Sequence, residues 1–344
     1  MNKILKRILA VILTIIIIIW IATILIGGYF VRYALYRNGA GGNREIKNEQ
    51  VKIEEKDSDK AIINKNKKEE KNDVKNWLEQ TPRETLEIKA KDDITLRATA
   101  YYNKTENQEN HNWVIVAHGY RSKPSWVASI GMHFYKEKGY NVLIPSMRAT
   151  EESEGKYIGM GWLDKDDIIG WINKIIEKDK DAKIILHGSS MGAATVLMAS
   201  GENLPSNVKA IIADSSYTSV WDIFKSELKA RFNLPPFPLM QMFRVIAKIQ
   251  AKYDIKEASV INQVKKSKLP ILLIHGDADD FVPVTMESQI YESLPGEKDQ
   301  LIIHGAGHTQ SRYREPEAYY KKVFEFVDKY GKWNLEDIEN ARLW

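Results

Sequence analysis

The chain has 344 residues, 44% of them apolar and 28% charged, with a net charge of +4; that is enough for one large α/β domain with appendages. Its Lys and Arg residues are interleaved with Asp and Glu, so no nucleic-acid partner is expected. It has no cysteine, which excludes thiolate catalysis and disulfide staples.

After a short N-terminal tail (residues 1–7), the stretch Ile8 to Val31 carries no charge and includes the isoleucine run Ile15 to Ile19. At about 1.5 Å per residue it spans the roughly 30 Å hydrocarbon core of a bilayer with some tilt. Lys3, Lys6 and Arg7 precede it, and Tyr29, Phe30 and Arg32 close it as an interfacial belt does. The run exceeds the roughly 7–15 residues of a signal-peptide core and shows no small-x-small cleavage site, so an uncleaved transmembrane helix over 8–31 is expected. Positive charge also follows the span, at Arg32, Arg37 and Arg44. The tight N-terminal cluster favours a cytoplasmic N-terminus, a single pass through the cell membrane and an extracytoplasmic domain. Residues 32–79 read as a charged linker. From Asn38 to about Lys75 the composition is Gly, Asn and mixed charge, as in Lys65-Asn66-Lys67-Lys68-Glu69-Glu70-Lys71. So little apolar surface offsets ordering entropy poorly and predicts a tether, partly disordered or a frayed helix, with a charged surface helix as the other reading.

Two alternating runs open the main domain, Thr85–Lys89 and Ile94–Tyr101, joined by a Lys91-Asp92-Asp93 turn; they read as half-buried antiparallel strands. Later apolar runs are continuous, as in strands covered on both faces: Trp113–Ala117, Asn141–Pro145, Lys183–His187, Val208–Ala213, Ile271–His275 and Gln300–His304. Helical patterns lie between them, around Trp126–Lys138, Lys165–Glu177, Ala193–Ser200, Ser219–Lys229, Thr285–Ser293 and Glu317–Tyr330. The expected fold class is α/β: a mostly parallel central sheet with helices on both faces and antiparallel strands at its N-terminal edge. In such a sheet the site gathers beyond the carboxyl ends of the strands.

The strand Lys183–His187 runs into Gly188-Ser189-Ser190-Met191-Gly192, the G-x-S-x-G pattern of a nucleophile elbow. A tight strand-to-helix turn strains its central residue and leaves no room for bulky neighbours, and the spacing selects Ser190 rather than Ser189 as nucleophile. The following helix N-terminus favours developing negative charge, so the Met191 N–H is one expected oxyanion donor. The turn His118-Gly119-Tyr120 after the strand Trp113–Ala117 offers a second, the Tyr120 N–H. Gly276-Asp277-Ala278-Asp279-Asp280 crowds carboxylates into one turn, and Gly305-Ala306-Gly307-His308 sets an imidazole at a glycine-flanked strand end. The other strand-end histidines, His118, His187, His275 and His304, are expected to be structural.

His275-Gly276-Asp277-Ala278-Asp279-Asp280-Phe281-Val282-Pro283 resembles the acid loop of the α/β-hydrolase superfamily. The resemblance covers residues 80–332 and is nearest to a bacterial branch with one N-terminal anchor, related to serine aminopeptidase-like and prolyl-oligopeptidase-like hydrolases. Tyr157-Ile158-Gly159-Met160-Gly161-Trp162 and Asp214–Trp221 are similar to segments of that branch. The resemblance implies Asp279 as triad acid, with Asp280 as the alternative and Asp277 capping the turn. The chain order Ser190, Asp279, His308 is the one such enzymes show. It further implies a serine hydrolase acting on a small-molecule acyl or peptide substrate, with no metal and no organic cofactor. A non-catalytic binding protein on the same fold and an acyltransferase using the same triad are the alternatives. One departure stands out: where relatives read Asp-x-Arg-Gly-His-Gly-x-Ser, this chain has Ser146-Met147-Arg148-Ala149-Thr150-Glu151-Glu152-Ser153, so a loop bordering the site is expected to be stiffer or reshaped. Residues 217–261 read as a small helical cap whose Met240, Met242 and Phe243 face an acyl site, and 333–344 as an amphipathic tail.

Overall fold

The computed structural model describes residues 3–42, 53–103 and 110–331; the expected tail over 333–344 lies outside them. In chain order the elements are α1 (Lys3–Ala34), α2 (Ile53–Gln80), β1 (Arg83–Lys89), β2 (Thr95–Tyr101), β3 (Asn112–Ala117), α3 (Ala128–Lys138), β4 (Asn141–Pro145), α4 (Asp164–Lys178), β5 (Lys183–Ser189) and α5 (Met191–Ala199). There follow β6 (Val208–Asp214), α6 (Val220–Phe232), α7 (Leu239–Gln250), α8 (Val260–Val264), β7 (Ile271–Gly276), α9 (Val284–Ser293), β8 (Lys298–Ile303), α10 (Ser311–Arg314) and α11 (Pro316–Tyr330).

The strands form one 8-stranded sheet in the order β1-β2-β4-β3-β5-β6-β7-β8. β1 pairs antiparallel with β2, and β2 with β4; the remaining pairs are parallel. The continuous apolar runs are strands, and those inside the sheet are buried on both faces; β8, expected to be covered likewise, is an edge strand and stays partly exposed, while β1 alternates and leaves most of one side to solvent. The sheet separates two apolar layers. One is built on α4, α5 and the cap helices, and the other on α3 and α11.

α1 extends the expected span at both ends. At about 1.5 Å per residue it is roughly 48 Å long, more than a hydrocarbon core requires. Its first two-thirds are exposed apolar surface, whereas Thr23, Gly27 and Val31, spaced by one helical turn, are buried. That stripe packs on α7. Gly27 permits the approach, since a β-carbon there would lie 2.9 Å from Met242 Cβ. Beyond α1 the chain is clasped to the domain. The Arg121 guanidinium donates to the carbonyls of Tyr36 (2.6 Å), Arg37 (2.7 Å), Tyr33 and Ala34 (both 3.3 Å), and Tyr120 Oη donates to Ala34 O at 2.7 Å. A cation beside the last carbonyls of a helix sits at the favourable end of its dipole.

Within the expected linker, residues 53–80 form a helix. Ile63 and Trp77, about four turns apart, are its buried side, and Trp77 lies on Tyr101 with ring centroids 4.5 Å apart. Two well-spaced apolar side chains, with Asp59 paired to Arg314 at 2.7 Å, dock a helix whose composition is otherwise that of a solvated segment.

Candidate active site

The turn between β5 and α5 holds Ser190 at φ 57°, ψ −116°, a strained conformation costing on the order of 1–3 kcal/mol. Sequence and packing explain why it is tolerated. A methyl on Gly188 would overlap the Gly192 carbonyl, and one on Gly192 would overlap the Ala117 carbonyl of β3, so both positions exclude any side chain. Ser190 N–H donates to Asp214 O of β6 at 2.8 Å, which fastens the turn and leaves Oγ projecting above the sheet.

His308 follows β8, and its Nε2 lies 2.8 Å from Ser190 Oγ. Its Nδ1 lies 2.7 Å from Asp279 Oδ2. Asp279 is buried, while Asp277 and Asp280 in the same turn are exposed. Its Oδ1 accepts from the N–H groups of Phe281 (3.0 Å) and Val282 (2.8 Å). Burial opposes its ionisation, but the bonds from His275 and His308 outweigh burial and hold the carboxyl well below the usual carboxylate range. Asp277 instead accepts from Gly305 N–H and pairs with exposed His304, both at 2.7 Å. Thr309, the residue after His308, has φ 55° and donates its N–H to Ser215 Oγ at 3.1 Å; Ser215 in turn donates to Asp214 Oδ1 at 2.9 Å.

The remaining histidines divide by burial. His118 Nε2 accepts from Met147 N–H at 3.1 Å, and burial lowers its pKa to about 4, so it is a neutral brace between two loops. Burial lowers His187 to about 3, and it pairs with Tyr319 Oη at 3.1 Å. His275 is different from the expected bystander. Its Nε2 faces Val282 O at 2.8 Å and Asp279 Oδ2 at 3.3 Å, so it shares the acid of the site. Its position four residues before Asp279 was the only sequence signal.

The candidate oxyanion donors border the same point. Met191 is the first residue of α5, where N–H groups have no partner within the helix. Tyr120 follows Gly119, and a β-carbon on Gly119 would sit 3.2 Å from Ser190 Cβ, so the β3 turn lies directly against the elbow. Above Ser190 opens a cleft lined almost wholly by apolar side chains. Met240 and Phe243 line it as expected of the cap. Met242 instead turns to Gly27. Phe281 also lines it, with its ring 4.9 Å from that of His308. Phe30, Tyr33 and Ala34 of α1 form a further wall that sequence reasoning did not assign to the site. Among the described residues, no group of three or more His, Asp or Glu side chains is placed to hold a metal ion.

The sheet order and the strand-turn-helix at Ser190 together define an α/β-hydrolase fold. The chain belongs to the prolyl oligopeptidase family, whose model matches residues 126–333. It is 31% identical over 198 residues to the uncharacterized protein YqkD of Bacillus subtilis, a match covering 57% of this chain and 65% of that one, just under two thirds of the relative. An uncharacterized membrane protein of Saccharomyces cerevisiae, YNL320W, is 23% identical over 200 residues, 58% of this chain and 64% of that one. Among solved structures, the Pyrococcus furiosus esterase Pf2001 is similar in fold, with TM-score 0.58 and 23% identity over 73% of this chain and 93% of the esterase.

Proposed function

We propose that the protein is a membrane-anchored serine hydrolase that cleaves an ester, thioester or amide through an acyl-enzyme on Ser190. The observation that carries this reading is the unbroken hydrogen-bond chain from Ser190 Oγ through His308 to Asp279. Ser190 Oγ attacks the carbonyl carbon as His308 Nε2 takes its proton, and the tetrahedral oxyanion is received by the N–H groups of Tyr120 and Met191. Asp279 holds the Nδ1–H tautomer and stabilises the imidazolium. His308 then gives its proton to the leaving group, whose bond to carbon breaks. A water deprotonated by His308 opens the acyl-enzyme and releases the acid. α1 supplies the anchor, with the hydrolase domain, about residues 80–332, on the extracytoplasmic side of the cell membrane. The helix is long and apolar enough to span, which supports the anchor, and Lys3, Lys6 and Arg7 before it support the orientation. A fluorophosphonate probe is expected to label the wild type and not Ser190→Ala; equal labelling of both overturns the assignment.

A further inference from the structure

We propose that the end of α1 is part of the substrate site and that the substrate is a long-chain acyl ester drawn from the bilayer that α1 spans. This rests on the reading of Ser190 as an acylating nucleophile and of α1 as a membrane helix.

The cleft begins at Ser190 and is walled by α1 on one side and the cap on the other, through Phe30, Tyr33 and Ala34 against Phe232, Leu239 and Phe243. Phe30 and Tyr33 both meet the Phe232 ring edge-on, at 5.1 and 5.7 Å. The charged groups lining it, Glu227 and Arg231, are paired at 2.5 Å, and Arg231 also donates to Gly42 O at 2.6 Å. An apolar slot whose charges are already engaged suits a hydrocarbon chain rather than a peptide, whose amides would need partners there.

The slot also lies close to the level at which the bilayer must end. α1 is exposed and apolar on all sides from Ile8 to Ala22 and on its outer face as far as Tyr29, the residue before Phe30. α7 runs beside α1 in the same direction. Its Met242 and Ile246 are against Gly27, and farther on Gln250 bonds Tyr157, which is bridged to Tyr36. The start of α7 therefore points toward the membrane, together with the loop before it. That loop exposes Phe237 (72%) and Leu234 (36%), an apolar tip suited to the interface. The same α1 end is held by Tyr120, whose N–H is the candidate oxyanion donor. A chain leaving the bilayer along α1 would reach Ser190 without crossing water.

The test uses the full-length protein in detergent, with p-nitrophenyl butyrate and laurate, and in vesicles of dioleoyl phosphatidylglycerol, following oleate release. Wild type is expected to prefer laurate over butyrate in kcat/KM and to release oleate. Ala34→Trp, which fills the slot, is expected to lower the laurate-to-butyrate ratio at least tenfold, and Phe30→Ala, which adds no bulk, to shift it at least threefold. Phe237→Asp is expected to lower oleate release more than laurate hydrolysis in detergent. An unchanged ratio in both slot variants overturns the inference, as does a wild type that prefers butyrate or aminoacyl amides. Laurate hydrolysis with no oleate release overturns the bilayer source. Fluorophosphonate labelling separates the two levels: if wild-type Ser190 does not react, the hydrolase reading itself falls.

Discussion

Replacing Asp279 with asparagine isolates what a carboxylate does that a shape-matched amide does not. All of its contacts are donors: Phe281 and Val282 N–H on Oδ1, and His308 Nδ1 with His275 Nε2 on Oδ2. An amide must aim its NH₂ at one of these pairs whichever way it is flipped. Facing the backbone, it opposes donors that cannot turn away, each lost buried bond costing about 1–3 kcal/mol. Facing His308, it drives the ring to the tautomer whose proton sits on Nε2 and points at Ser190, which then has no base. The expected loss in kcat is on the order of 10³–10⁴, with stability lowered by a few kcal/mol at most. The assay is hydrolysis of a short p-nitrophenyl ester beside fluorophosphonate labelling, with circular dichroism to confirm folding. Asp280→Asn, on the exposed neighbour, is the control and is expected to stay within a few-fold of wild type. A folded Asp279→Asn within tenfold of wild type, or an Asp280→Asn that is the inactive one, refutes the reasoning.

Three further substitutions read other parts of the structure. Asp164 is fully buried, and burial followed by the Asp167 charge raises it to about 7 from 3.8. A raised carboxyl favours the folded state while protonated, so its contribution is complete below about pH 4 and is lost as pH rises through 7. Asp164→Asn, which can still accept from Gly161 N–H, is therefore expected to gain stability relative to wild type between pH 5 and 8 in thermal melts. Parallel curves refute it. Gly192→Ala would overlap the Ala117 carbonyl and is expected to destabilise by about 1–3 kcal/mol and to cost more than tenfold in kcat. Gly28→Ala in α1 meets nothing within 4 Å and is expected to be neutral or stabilising. Equal tolerance of both would contradict the elbow packing.

Much of this arrangement was legible before any coordinates. The β-branched runs are strands because a strand covered on both faces must be apolar throughout. The site residues follow those strands because parallel sheets present loops at their carboxyl ends. What stayed hidden depends on contacts between distant segments. The docking of α2 turns on Ile63 and Trp77, set in a helix of otherwise low apolar content. The share of His275 in Asp279 depends on a side-chain direction that its four-residue spacing from Asp279 does not by itself fix. The wall formed by Phe30 and Tyr33 is the clearest case. Aromatic residues at the end of a transmembrane span satisfy an interfacial belt fully, so nothing in their pattern required a second role.

The loop that departs from the family pattern is where the segment after α1 is fastened. Arg37 donates to the carbonyls of Ser153 at 2.8 Å and Glu151 at 2.5 Å, Arg37 N–H to Lys156 O at 2.8 Å, and Ile158 N–H to Leu35 O at 2.8 Å. Ala149 and Glu151, at the positions where relatives carry glycine, keep positive φ of 59° and 41°. The left-handed conformation is thus held here by residues whose side chains disfavour it by about 1–2 kcal/mol each. Inside the loop, Arg148 is buried against Asp167 with two 2.7 Å bonds, and Ser146, Thr150 and Ser153 bond back to its own carbonyls. A loop so braced does not need glycine to reach its shape, and a rigid loop gives the chain after α1 a fixed edge to pair with. The same loop therefore fastens the chain after α1, and so holds the end of α1 beside Ser190 rather than leaving it as a free tether.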